Sequence, residues 1–292
     1  MRIKTTRQRD NGTTSCEKLF ALAKVNVVTI VLAMILVSCS PHKRLAYDFV
    51  KHSKGAAMSF YVADELKKTN LRRDCNPSNV DLVLLDEEQL RDTIEARTKI
   101  VNKIDDDIFL DVMFASFEAT LKDYDVVLEY YEEEMTPDSM HWRVDLSYIE
   151  VQEKIEHLLS HCGVDGNFEF FPSTVVNVAS WFEMSAGDTT KLLFTEQDYS
   201  GYIEDCYYSL DSLKNLVVNV DMKHVSVEGF YDFAVILGKL YAGYCYDYFM
   251  NEYVKGVIRR KGKAIDDDIY MRYDPYEKVV YFTRNDKMIL MD

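Results

Sequence analysis

The chain has 292 residues, with 34 Lys and Arg against 49 Asp and Glu, for a formal net charge of −15. So acidic a chain argues against nucleic-acid binding, which depends on basic side chains neutralising phosphates. Its length and its 48% hydrophobic content suffice for a real core in one large domain or two small ones.

In chain order, a leader comes first. Arg2, Lys4, Arg7, Arg9, Lys18 and Lys24 stand against Asp10 and Glu17, and Val25 to Ser38 is apolar and almost uncharged. A basic start, a short apolar run and small residues before a cut describe a secretory signal peptide, and the run is shorter than the about 20 residues of a spanning helix. Leu36-Val37-Ser38-Cys39 resembles the bacterial lipobox. The resemblance implies cleavage before Cys39, acyl chains on its sulfur and amino group, and an address in the cell envelope. Two or more chains give stable anchorage where one does not. Ser40-Pro41-His42-Lys43-Arg44 lacks both the Asp that resembles an inner-membrane retention signal and the acidic run that resembles a surface-export signal. The outer membrane, facing the periplasm, is therefore the expected location. Loss of six basic and two acidic residues with segment 1–38 leaves 28 against 47, a net charge of −19.

Residues 39–55 read as a lipidated polar tether, 56–256 as the main domain and 257–292 as an extension ending in a β-hairpin. Within the domain, Ala56–Ala63 predicts a strand, and Asp81–Leu85 a short one. Asp86 and Gln89 open a helix in capping-box spacing, with Leu90, Ile94 and Val101 on its stripe. Phe109, Val112, Met113, Phe117, Leu121 and Tyr124 recur at three- and four-residue steps, which predicts a helix. Asp105, Asp106 and Asp107 lie at its positive dipole end. Residues 125–131 and 142–151 read as strands, with Val144, Leu146 and Tyr148 on one side. The segment through His161 is open to helix or strand. Strands over 173–184 and 191–196 form a hairpin across Ala186-Gly187-Asp188, and 215–227 continues the sheet. A helix from Ser226 to about Lys255 carries a wide aromatic face and a row of Ala234, Gly238 and Ala242, expected to meet a neighbouring element at close range. The last sixteen residues read as a hairpin turning at Asn285-Asp286.

Few residues point to chemistry. Glu153, His157 and His161, beside Cys162, would share a helix face, and two His four apart can bind zinc; a site needs three or four placed ligands, so they read as surface polar residues. Asp105, Asp107 and Asp111, or Asp266–Asp268, lack the central Gly and terminal Glu of a calcium loop. No metal or cofactor is therefore expected. Cys75, Cys162, Cys206 and Cys245 could form two disulfides in an oxidising compartment, although Cys245 reads as a buried free thiol. Tyr-rich 241–249 and 272–282 suit a glycan platform or, more commonly, core packing. There is no CxxC, nucleophile elbow or Gly-rich phosphate loop.

With Leu36–Cys39, the stretches NKIDDDIFLDVMF and GFYDFAVILGKLYAGY resemble those of uncharacterised lipoproteins of Bacteroidetes. That resemblance implies a compartment and no activity. The order of elements is also similar to that of periplasmic auxiliary lipoproteins of transport and secretion systems, a likeness of topology alone. The expected fold is α+β, an antiparallel or mixed sheet with helices on one face. The expected function is a membrane-anchored, non-enzymatic envelope lipoprotein that binds or scaffolds a protein partner and no nucleic acid. The alternative is a lipoprotein hydrolase, or a glycan- or ligand-binding protein, whose site is assembled only in space.

Overall fold

The computed structural model describes residues 40–71, 98–129, 142–160, 169–186, 189–262, 270–284 and 287–291. Among these are three α-helices, α1 (Pro41–His52), α2 (Asp106–Asp123) and α3 (Val227–Arg260). The strands are β1 (Ala57–Val62), β2 (Lys67–Asn70), β3 (Val127–Glu129), β4 (Trp142–Ser160), β5 (Glu169–Ala186), β6 (Thr189–Ser200), β7 (Tyr202–Leu210), β8 (Leu216–Lys223), β9 (Tyr270–Asp274), β10 (Val279–Thr283) and β11 (Ile289–Leu290). The fold is α+β. A mixed sheet runs β11-β6-β5-β4-β1-β3, with β2 also paired to β4. β4, β5 and β6 form an antiparallel meander, whereas β1 and β2 join β4 in parallel.

β4 shows why the sheet has one inner face along its whole length. Trp142, Val144 and Leu146 are buried, then Ile149, Val151 and Glu153. The parity changes at a bulge between Leu146 and Tyr148. One extra residue there returns the apolar set to the core side, because a strand's side chains alternate. Tyr148 is thereby turned from the face of Val144 and Leu146, where the sequence pattern places it, onto the opposite face against Trp181, with ring centroids 4.9 Å apart. The segment after residue 151 is strand as far as Ser160.

The helices cover the inner face. Asp105 caps α2 by accepting from the Ile108 N–H at 3.2 Å, and Ser226 caps α3 by accepting from that of Gly229 at 3.0 Å. The expected stripe of α2 is buried at Phe109, Met113, Phe117 and Leu121. Ala234, Gly238 and Ala242 of α3 are buried too. A methyl group on Gly238 would run into the Met113 carbonyl and the Phe117 amide of α2, so the row marks a close helix crossing. Ser116 Oγ donates to the Val235 carbonyl across it at 2.7 Å.

Other expectations are corrected. The supposed tether is helix α1. Pro41 starts it, Ala46 and Phe49 are buried, and the Tyr47 hydroxyl accepts from the Val280 N–H at 3.1 Å; a stripe that narrow is hidden in a polar composition. Val101 lies in a 3₁₀ turn, Val101–Lys103, rather than on a continued helix. Residues 216–223 pair with β7 in a two-stranded sheet of their own instead of extending the main one. The C-terminal hairpin consists of β9 and β10, so β10 is its second strand, and β11 pairs with β6. The elements expected over 81–97, and the turn residues Gly187-Asp188 and Asn285-Asp286, lie outside the described residues.

Candidate functional site

The residues that sequence reasoning weighed as metal ligands do not gather among the described residues. Glu153 is fully buried on β4, and its carboxylate accepts from the N–H groups of Lys99, Ile100 and Val101 at 3.0, 2.8 and 3.1 Å. It thus holds the entry to the 3₁₀ turn, satisfying donors that would otherwise be buried unpaired. His157 sits exposed on the same strand, four residues and about 13 Å further on at strand rise; His161 lies outside the described residues. Asp106 pairs with Lys68 and accepts from the Leu66 N–H, while Asp107 and Asp111 are exposed. Asp266–Asp268 are outside the described residues. Among the described residues no three metal-ligating side chains gather.

The Tyr-rich part of α3 is core. Tyr241 bonds Ser180 at 2.8 Å and Tyr246 bonds Ser53 at 3.0 Å, and burial pushes both phenols above their ordinary range. Asp247 is the most unusual acid. Burial pushes its carboxyl up to about 8, against the opposing pull of the Tyr273 N–H, 3.0 Å away, and of Arg272, 3.8 Å away. One turn on, Asn251 donates to the Met271 carbonyl and accepts from the Met271 N–H. Both side chains therefore clamp β9 to α3, which gives this polar pair a structural use. Cys245 is a buried free thiol, held well above the usual thiol range by burial. Cys206 is disulfide-bonded; Cys39, Cys75 and Cys162 lie outside the described residues.

Two features remain uncommitted to the core. The first is the arm of β7 and β8. Ile203, Cys206, Tyr208 and Leu210 stand opposite Met222, Val220, Val218 and Leu216, and directly paired residues share a face. A bulge after Ile203 keeps that face wholly apolar. Towards the tip it is open: Leu210 is 65% exposed, Leu216 49%, and Leu213 in the turn 79%. The turn is locked. Asp211 accepts from the N–H groups of Leu213 and Asn215 at 2.8 Å and from the Asn215 amide at 3.0 Å. Hydrogen bonds from Asn215, then Leu213, hold its carboxyl below the ordinary range.

The second is a cleft of about 410 Å³ between the end of α1, the last turns of α3 and the near ends of β4, β5 and β6. Its floor is a triple ring stack. Phe49 and Phe249 lie on Trp142 at 5.4 and 4.9 Å, nearly parallel to it. Gly256 opens one wall, with no atom within 4 Å of where a side chain would begin. Lys191 is paired with Glu252 at 2.8 Å. Arg259 and Arg260, also lining the cleft, are exposed and make no ion pair among the described residues.

No family model matches the chain, and no curated protein matches it at a significant level. Sequence reasoning missed both features. The arm's signal was the alternation of Leu216, Val218 and Val220, which looked like a sheet strand. The cleft had only Arg259 and Arg260, two neighbouring cations whose place beside the rings no local pattern records.

Proposed function

We propose that this chain is a lipid-anchored, non-enzymatic binding protein of a bacterial cell envelope, which contacts a protein partner through the tip of the β7–β8 arm. The observation that carries the reading is the tip itself. Three leucines stand largely in water on a turn already fixed by Asp211, so docking there costs little ordering entropy, and exposed apolar patches on an ordered scaffold mark interaction surfaces. The acidic remainder keeps such a protein soluble while its own apolar tip stays available. The disulfide at Cys206 supports an oxidising compartment, and Leu36–Cys39 supply the anchor that matches it. Asp247, the most shifted carboxyl among the described residues, is not among the described residues that line the cleft and is used to hold β9, which favours binding over acid–base chemistry. The residues after Cys39, which lack the retention-like Asp and the export-like acidic run, support the outer membrane, facing the periplasm, as its location.

Two measurements test this. Tagged protein recovered from membranes should bring a companion in near-stoichiometric amount, and Leu210→Ser/Leu213→Ser should lose that same companion; equal recovery by both would remove the arm from the account. Metabolic labelling with a fatty-acid analogue should mark wild type and not Cys39→Ala, because the thiol is the acylated nucleophile. Equal label in the two would put the anchor elsewhere.

A further inference from the structure

The cleft under α1 has a charge that the rest of the molecule does not predict. On a chain of net charge −15, its mouth presents His52, Arg259 and Arg260, while the one carboxylate among its described lining residues, Glu252, is paired with Lys191. His52 Nδ1 donates to the Asp48 carbonyl at 2.6 Å. The negative end of the α3 dipole accounts for cations in its last turn. It does not account for their standing beside a stack of flat rings, nor for Gly256, which costs helix stability at an interior position and here leaves open space. Ring floor, open wall and guanidinium groups with no ion pair among the described residues together define a shape and a charge.

We propose that this cleft binds a small organic anion with a flat apolar body. The body lies against the wall at Gly256 and along the edges of the buried ring stack of Phe49, Trp142 and Phe249. The carboxylate, sulfonate or phosphate end meets Arg259 and Arg260, whose planar donors suit such groups. A cleft of this volume lies in the range of small-molecule sites, which are mostly apolar with a few placed polar groups. The inference stands independently of the arm and of any partner it holds.

The protein has two Trp residues, so full-length Trp181→Phe leaves Trp142 in the cleft floor as the sole reporter. In that background 8-anilinonaphthalene-1-sulfonate should quench Trp142 saturably at one site. Arg259→Glu/Arg260→Glu should weaken it by about tenfold or more, the scale of charge-assisted hydrogen bonds. Gly256→Leu, whose Cβ meets no atom within 4 Å, should fill the wall and abolish quenching without unfolding the helix. N-phenyl-1-naphthylamine, the same ring system without the sulfonate, should bind about tenfold more weakly and ignore the arginine variant. Leu210→Ser/Leu213→Ser should leave quenching unchanged, which separates this site from the arm. The proposal is overturned if Trp142 is not quenched, if neither cleft variant weakens the sulfonate, or if the neutral dye binds equally well. Phosphatidylglycerol vesicles that quench Trp142 where the sulfonate does not would assign the arginines to a membrane surface and overturn it as well.

Discussion

The α2–α3 crossing and the β7–β8 arm are both regular arrays of apolar residues, yet they end in opposite environments. At the crossing, each residue of the small-side-chain row meets a second layer, so backbone approaches backbone at Gly238. On the arm the same kind of pattern has no described second layer towards the tip, and Leu210, Leu213 and Leu216 remain in water. Two acids repeat the contrast. Asp247, in the core, is pushed up to about 8 by burial, while Asp211, in water, is held below its ordinary range by the hydrogen bonds it accepts. Apolar periodicity thus says that a face will be used, and the neighbouring layer decides whether it is used for folding or for contact with something else.

The sharpest way to break the comparison is at the crossing. Gly238→Leu places a branched side chain where a single methyl already meets the α2 backbone. Overpacking against backbone has no cheap relief, so the loss should exceed about 3 kcal/mol, read as a fall in the urea midpoint. A change smaller than 1 kcal/mol, on the scale of an exposed helix position, would mean that the helices do not approach so closely.

An intermediate effect is expected at Asp247. Its folded carboxyl titrates near 8 instead of 3.8, so the native state binds a proton that the unfolded chain has released between those values. Stability from this group is therefore complete below about pH 4 and declines as pH rises towards 8. Asp247→Asn is neutral throughout and can still accept from the Tyr273 N–H. Urea midpoints at pH 5 and pH 8 should differ less in this variant than in the native protein; parallel midpoints would show that the carboxyl is ionised in the fold.

The smallest stability effect should come from the arm. Leu210→Ser/Leu213→Ser removes apolar atoms that are already largely exposed, so the urea midpoint should correspond to within about 0.5 kcal/mol of wild type. Loss of the membrane companion with no loss of stability would separate contact from folding. A loss as large as that at Gly238 would instead place the tip in a core.

What the sequence determined by itself is the local part. The three- and four-residue spacing that gives α2 and α3, the acidic start of α2, the start of α3 at Ser226, the small-residue row of α3, and the apolar runs of β1, β4, β5 and β6 are each set by interactions within a few residues, and each is where the pattern places it. The burial of Cys245 follows from the same helical periodicity. Tertiary structure decided everything that depends on a partner far along the chain. A single bulge at Ser147 reverses the parity of β4, so it moves Tyr148 outward and brings Glu153 in to the 3₁₀ turn. α1 is a helix because Phe49 has Trp142 to stack on, and β8 leaves the main sheet because its ladder goes to β7. The cleft draws Phe49, Trp142, Lys191, Gly256 and Arg259 from four separate elements. Backbone hydrogen bonds and side-chain alternation repeat every two to four residues and can be read locally; strand pairing, register and convergence are chosen by burial among distant segments, which no local pattern records.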